Sequence, residues 1–223
     1  MSFEFDLRHP NSAFIKTVWR TRSRLDTTFT SPAESHWDIV VTRQKGTSSL
    51  TLKGPETRAR LAPVPSEAEF IGIQFQHGCF MPHFPVHELT NGGLTLDNAT
   101  DKRFWFKGSA LEFPSFEDAE LFVNELIKRG ELVKDPLIEA VLGNEPTDVS
   151  LRTVQRRFAR VTGLSSNALN QIERARRAAQ LLETGTPIPD VAFEMGYADQ
   201  PHLTRSLKTL TGQTPAQLRK GFD

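Results

Sequence analysis

Two segments of this chain repeat each other, and each has the pattern of a short amphipathic helix. SLRTVQRRFARVTG at 150–163 is echoed by DQPHLTRSLKTLTG at 199–212, and the two closing glycines are 49 positions apart. Apolar residues coincide across this offset at helical spacing, as Phe158 and Leu207 do. Each segment ends with Thr-Gly, which suits a C-terminal helix cap. The repeat therefore predicts two helices, each with one buried side and one free side rich in Arg, Gln, Thr, Lys and His.

The charges of the chain are divided unevenly along its length. The formal net charge is zero, but residues 147–223 contain 11 Lys and Arg against 7 Asp and Glu, a net charge of +4, and residues 1–146 have a net charge of −4. Arginines at 152, 156, 157 and 160 fall within the first predicted helix. Such a face is either a solvated helix surface or a site for a polyanion. Its position in the repeated helix favours the polyanion.

Length and residue types exclude several classes of protein. A chain of 223 residues favours two domains. The single cysteine, Cys79, excludes an internal disulfide or a multi-cysteine zinc site and is interpreted as a core residue. No signal peptide or membrane span is recognisable, which predicts a cytoplasmic protein without a membrane partner. No catalytic triad, phosphate loop or carboxylate pair is recognisable either, so we expect no enzyme and no cofactor.

Residues 37–112 have the pattern of short strands bounded by turns. Trp37, Ile39 and Val41 alternate before a QKGTSS turn, and Leu50 and Leu52 resume after it, as in a hairpin. Two further strands are predicted around 71–75 and 103–106. We expect a small antiparallel barrel or sandwich.

The pattern changes to helical after Pro114. Ser115 is a candidate N-cap, Asp118 follows three residues later, and Gly130 suits the helix end. This helix either packs on its own β domain or forms a dimerisation surface. Further helices are predicted over 135–143, 150–162, 166–184, 188–195, 199–211 and 215–220.

Residues 188–207, IPDVAFEMGYADQPHLTRSL, have the pattern of a helix-turn-helix. Ala192 supplies a small residue where two helices cross, and Gly196 suits a left-handed turn. Arg pairs with guanine and Gln with adenine in the major groove, while Thr and Lys more often meet phosphate or the thymine methyl group. The alternative is an ordinary helical hairpin. The second helix presents Gln200, His202, Thr204, Arg205 and Lys208.

Taken together, residues 150–220 resemble the DNA-binding domain of AraC-type transcription regulators, in which a long helix joins two helix-turn-helix units. The matching residues are the run from Ser150 to Phe158, Arg174 and Ala175, the series Ile188, Val191, Ala192, Gly196 and Tyr197, and Gly212, Thr214 and Pro215. One departure is the GNEPTD stretch at 143–148, which replaces the usual compact turn of the first unit. The resemblance implies that a monomer reads two successive major-groove segments, about 34 Å apart.

The resemblance also implies which residues contact double-stranded DNA. The base-reading candidates are Arg152, Gln155 and Arg156 in the first unit, and Gln200, His202, Thr204 and Arg205 in the second. The phosphate candidates are Arg157, Arg160 and Lys208. Phosphate contacts hold the register of a protein on DNA and make its affinity depend on salt.

In this family the companion domain is commonly a cupin-like β-barrel that senses a small molecule or mediates dimerisation. Five aromatic residues either line an apolar ligand pocket in this domain or belong to the hydrophobic core of the domain: Trp37, Phe75, Phe80, Phe84 and Trp105. A metal-dependent cupin enzyme is the competing interpretation, because His77, His83, His87 and Glu88 are suitable ligands. Their spacing, interrupted by Pro82 and Pro85, does not match a cupin metal site, so we expect no metal.

The predicted fold class is therefore α+β. A β-rich sensor or oligomerisation domain spans 1–113, a helical connector 114–142, and a double helix-turn-helix domain 143–223. The predicted function is sequence-specific transcription regulation, modulated by a small-molecule effector or through a homodimer. The alternatives are a non-specific or architectural DNA-binding protein and the metal-dependent cupin enzyme.

Overall fold

A computed structural model describes residues 4–220, which fold into two compact units. The first contains the residues up to Thr27, His36–Pro55 and Val64–Ser165, and the second contains Thr28–Ser35, Glu56–Pro63 and the residues from Ser166 onward. Antiparallel strands precede most of the helices along the chain, which confirms the predicted α+β class. Within the described range, no helix has both the length and the hydropathy to cross a bilayer.

The first unit is built on a six-stranded antiparallel sheet. The predicted hairpin is present, with Gln44 opposite Thr47. Its loop residues, Lys45 and Gly46, have φ angles of 48° and 79°, as a two-residue hairpin turn requires. The strands, in order across the sheet, are β1 (Phe5–Arg8), β2 (Ile15–Ser23), β7 (Ala68–Phe75), β4 (Asp38–Gln44), β5 (Thr47–Lys53) and β9 (Gly93–Leu96).

The core of this unit lies against one face of the sheet. Ile71, Ile73 and Phe75 alternate into it, as predicted, and each is at most 1% exposed. Gly72 faces the other way beneath Trp19, and a Cβ atom there would lie 2.0 Å from the indole ring. Residue 72 must therefore be glycine, because any side chain there would occupy the space of the indole.

Smaller elements complete the first unit. Strand β8 (Cys79–Phe80) pairs with β13 (Val133–Lys134). A 3-10 helix spans Val86–Leu89. A three-stranded sheet contains β10 (Asn98–Thr100), β11 (Arg103–Phe106) and β12 (Ser109–Glu112).

The helix predicted after Pro114 begins later than expected. Ser115 N donates to Asp118 Oδ1 at 2.6 Å, and Asp118 N donates to Ser115 Oγ at 3.2 Å. This exchange closes a turn ahead of the helix, and α1 spans only Ala119–Lys128. Its buried residues, among them Val123, join the core of the first unit. The helix thus packs on the β-rich core of its own unit.

Two helices follow in the first unit and four in the second. The first pair is α2 (Pro136–Leu142) and α3 (Leu151–Thr162). The second set is α4 (Ser166–Glu183), α5 (Ile188–Glu194), α6 (Gln200–Thr211) and α7 (Pro215–Arg219). The core of the second unit contains Ala175, Ala178, Leu182, Val191, Leu203, Leu207 and Leu218.

A two-stranded ribbon of β3 (Thr27–Ser31) and β6 (Arg60–Val64) packs at the end of α6. Ala33 N donates to Leu210 O at 2.6 Å, and Ala59 N donates to Thr209 O at 2.9 Å. The last carbonyl groups of a helix have no partner within it. The N-terminal half of the sequence therefore supplies the hydrogen bonds that close α6.

Candidate nucleic-acid interface

Helices α5 and α6 form the helix-turn-helix predicted from the sequence. Ala192 is buried where the two helices meet, and Gly196 has a φ of 67°. Tyr197 N donates to Ala192 O at 2.9 Å, which closes the end of α5. A Cβ atom on Gly196 would have no neighbour within 4 Å. The backbone angle, rather than a lack of space, therefore favours glycine at this turn.

Caps at both ends fix the length of α6. At the first end, Asp199 Oδ1 accepts a bond from His202 N at 2.6 Å. At the other, Gly212 has a left-handed φ of 77°. Leu203 and Leu207 are fully buried between these ends, which turns the opposite side of α6 outward.

The base-reading candidates of α6 differ in how firmly they are held. Gln200 and Arg205 are exposed, and their side chains have no hydrogen-bond partner among the described residues. Thr204 Oγ1 donates to Gln200 O at 2.9 Å, so its hydroxyl is engaged within the helix. His202 Nδ1 accepts from Ala198 N at 3.4 Å, and its ring meets Tyr197 edge-on. Lys208, the phosphate candidate of this helix, is exposed.

A contact that the sequence analysis did not assign to the site supports the turn before α6. The guanidinium carbon of Arg174, on α4, lies 4.4 Å from the centre of the Tyr197 ring. Arg174 Nη1 also donates to Gly196 O at 3.5 Å. The resemblance had singled out Arg174 and Tyr197 only as matching residues. Their contact ties the long helix to the turn that aims α6.

Helix α3 has the same design as α6. Ser150 Oγ caps it by accepting from Thr153 N at 3.3 Å, and Gly163 ends it with a φ of 75°. Phe158 and Val161 are buried. The base-reading candidates Arg152, Gln155 and Arg156 and the phosphate candidates Arg157 and Arg160 are all exposed.

The support of α3 differs from that of α6. Gly143 ends α2, and residues 143–150 contain neither helix nor strand before α3 begins. In the first unit α3 packs against α2, β8 and the 3-10 helix. The GNEPTD departure therefore corresponds to a first helix-turn-helix whose two helices are joined by residues 143–150, a longer connection than residues 195–199 in the second.

One phosphate candidate of α3 is engaged with a buried carboxylate. Arg157 Nε donates to Asp135 Oδ2 at 2.5 Å. The Asp135 side chain is only 3% exposed, whereas that of Arg157 is 49% exposed. Arg160, one turn further along α3, has no ion pair within residues 4–220.

The five aromatic residues assigned to a ligand pocket lie in different surroundings. Trp37 stacks on Phe75 with 4.1 Å between ring centres, and its indole Nε1 donates to Cys79 O at 2.8 Å. Both rings are buried in the core. Phe80 and Phe84 pack at the edge of that core, whereas Trp105 is 49% exposed. Four of the five rings therefore lie in or against one hydrophobic core, and the fifth is half-exposed.

The first unit does contain a large cleft, and charged residues line it. It encloses about 1120 Å³, and Arg20, Arg22, Arg43 and Glu69 are on its wall. Burial alone would raise the pKa of the Glu69 carboxyl. Hydrogen bonds and positive charge from Arg22 and Arg43 outweigh burial and lower this pKa.

The histidines considered for a metal site are dispersed. The His77 ring stacks on His36 with 3.7 Å between ring centres. His87 Nε2 lies 3.9 Å from Glu88 Oε1 on the 3-10 helix. Among the residues described, no three of His77, His83, His87 and Glu88 form a group of converging ligand atoms.

Comparison with known proteins agrees with this geometry. Residues 145–221 match the family described as "Helix-turn-helix domain". The transcriptional activator RhaS of Escherichia fergusonii is 31% identical over 148 residues, which are 61% of this chain and 51% of RhaS. The transcriptional regulator VirS of Mycobacterium tuberculosis is 30% identical over 179 residues, which are 75% of this chain and 52% of VirS.

Residues 145–221 belong to the AraC-type helix-turn-helix family. The chain spans about half the length of RhaS and of VirS. A crystal structure of ToxT from Vibrio cholerae matches 97% of this chain and 100% of its own, with 12% identity and a TM-score of 0.42. The printed names of both relatives describe transcriptional regulators.

Proposed function

We propose that this protein is a transcription regulator that reads a specific sequence of double-stranded DNA through α3 and α6. The observation that carries the proposal is the repetition of one design. Each helix has a side-chain cap at its start, a left-handed glycine at its end, and a free side with arginine and glutamine. Two ordinary helical hairpins would not need the same exposed side with arginine and glutamine on one helix of each.

The free side of α6 supplies groups that distinguish bases. Arg205 can pair with the O6 and N7 atoms of guanine, and Gln200 can pair with adenine. Because the Thr204 hydroxyl is engaged within the helix, its methyl group is what remains for the methyl group of thymine. His202 completes this set. On α3, Arg152, Gln155 and Arg156 have the corresponding role.

Phosphate contacts provide most of the affinity in this proposal. Arg160 and Lys208 are exposed cations beside the base-reading residues of their helices. Each phosphate contact releases condensed counterions, so each contributes about 0.9 to the slope of log affinity against log salt. The base contacts then add selectivity to this sequence-independent binding.

The first unit, in this proposal, modulates DNA binding through a small-molecule effector or a second copy of the chain. The charged cleft favours a polar, ionisable effector over an apolar one, because an apolar occupant would desolvate the charged side chains of the wall without pairing with them. A thermal-shift screen of metabolites on the full chain tests this. A screen in which only apolar compounds raise the melting temperature would contradict it.

Selection of bound fragments from random DNA, followed by two matched variants, tests the DNA-binding role. On the selected site, Arg205→Ala should cost about 1–3 kcal/mol and relax selectivity at one position. Arg160→Ala should weaken binding to all sequences alike and reduce the salt slope by about 1. Equal and sequence-independent losses in both variants would instead indicate a non-specific DNA-binding protein.

A further inference from the structure

The Asp135 carboxylate has a separate partner for each of its oxygen atoms. Oδ1 accepts from Leu137 N at 3.0 Å and Ile138 N at 3.4 Å, which caps the start of α2. Oδ2 accepts from Arg157 Nε at 2.5 Å. One residue therefore joins the start of α2 to the middle of α3.

The backbone of Asp135 is fixed as firmly as its side chain. Its N–H donates to Gly78 O at 2.9 Å, beside the short strand β8. The residue is nearly inaccessible to water, so its charge requires a partner inside the protein. Arg157 is the only ion-pair partner of Asp135 among the residues described.

The position of Arg157 on α3 separates it from the base-reading residues. Arg152, Arg156 and Arg160 follow one another at intervals of four, so they lie along one side of the helix. Arg157 is four residues before Val161, which is buried. Arg157 therefore lies on the flank of α3 that turns toward the protein.

The first helix-turn-helix needs such a tie more than the second does. In the second helix-turn-helix, α6 is supported by α5 directly before it, whose buried residues include Val191 and Ala192. Helix α2 packs against α3, but residues 143–150, which form neither helix nor strand, separate the two helices. The ion pair between Arg157 and Asp135 fixes the start of α2 against α3 across this longer connection.

We propose that Arg157 is a positioning residue, which orients the base-reading side of α3 by pairing with Asp135, and is not primarily a phosphate contact. The inference rests on the proposed function, because orientation matters only if α3 reads DNA. Arg160 is the matched control, being an exposed arginine on the same helix that has no ion pair within residues 4–220. Asp135→Asn removes the charge but leaves an oxygen that can still cap α2.

The experiment measures the affinity of Arg157→Ala, Asp135→Asn, the double variant and Arg160→Ala for a duplex recovered by selection, over a series of salt concentrations. We expect Arg160→Ala to reduce the salt slope by about 0.9. We expect Arg157→Ala and Asp135→Asn to lower affinity alike with an unchanged slope, and the double variant to be no worse than either. Selectivity should relax at the base pairs read by α3 and persist at those read by α6.

A reduced slope in Arg157→Ala together with unaltered binding by Asp135→Asn would overturn the proposal and make Arg157 a phosphate contact. Amide hydrogen exchange in the DNA-free protein separates the two levels of inference. Arg157→Ala and Asp135→Asn should speed exchange within 151–162, and Arg160→Ala should not. If the wild-type chain selects no DNA sequence but this exchange pattern appears, the proposed function fails and the ion pair between α2 and α3 is still supported. Unchanged exchange in all three variants would refute the role of the ion pair itself.

Discussion

Thr162 and Thr211, which are 49 positions apart, make the same hydrogen bonds at the ends of α3 and α6. Each hydroxyl donates to the carbonyl oxygen four residues earlier, at 2.8 Å in both helices. Each also accepts from the amide two residues later, at 3.2 Å for Leu164 and 3.3 Å for Gln213. The internal repeat thus extends to single atoms.

The two threonines differ in burial, and this difference predicts unequal effects of valine. Thr162→Val leaves the amide of Leu164 without an acceptor inside the protein, which should cost about 1–3 kcal/mol of unfolding free energy. Thr211→Val should cost less, because Gln213 is exposed and its amide can bind water. Urea denaturation followed by circular dichroism measures both values. Equal losses of unfolding free energy in the two variants would contradict the predicted effect of burial.

The glycines that end α5 and α6 provide a second matched pair. Gly196→Ala places a side chain at positive φ in open space and should cost about 1–2 kcal/mol. Gly212→Ala adds a clash, because the new Cβ atom would lie 2.6 Å from Thr30 Cγ2. The melting temperature should therefore fall further for residue 212 than for residue 196. An equal or smaller fall for residue 212 would contradict the predicted clash with Thr30.

Replacing Arg174 should loosen the turn before α6. Arg174→Ala removes the contact with the Tyr197 ring, for which a loss of about 1 kcal/mol is expected. Arg177→Ala is the control, since this residue is an exposed arginine on the same helix. Differential scanning calorimetry of both variants tests the difference, and the idea fails if Arg177→Ala is equally destabilising.

Cys79 should react with iodoacetamide only after unfolding. The residue is 1% exposed, and burial raises the pKa of its thiol to about 12. Because the thiolate is the reactive form, the folded chain should resist alkylation at mildly alkaline pH. Because the folded chain keeps the thiol proton that the unfolded chain releases, the free energy of unfolding should also fall as pH rises from the ordinary thiol pKa toward about 12. Mass spectrometry after timed exposure, with and without urea, measures the reaction; equal rates would contradict this prediction.

Local features of the sequence predicted the helices and their ends well. The left-handed glycines at 163 and 212, and the hairpin before residue 50, depend on residues within a few positions of each other. The strands β1 and β2 lie before the predicted strand region, and the sequence analysis missed them. The sequence of β2, IKTVWRTRS, mixes Thr and Arg into its alternation of apolar residues.

Contacts between distant residues escaped the sequence analysis. The pair of Asp135 and Arg157 joins residues 22 positions apart. Aromatic residue types fit a packed core and a ligand pocket equally well, so the sequence could not separate the stacked Trp37 and Phe75 from a pocket wall. The charged cleft depends on strands that come together only in the folded sheet.

The ribbon that closes α6 has a practical consequence for dissecting this protein. A fragment expressed from residue 143 onward would lack Ala33 and Ala59, whose amides bond to the last carbonyl groups of α6. In such a fragment the end of α6 would fray, because these two hydrogen bonds would be absent. Truncation experiments on this protein would then measure a frayed α6 and not the helix as it stands in the full fold.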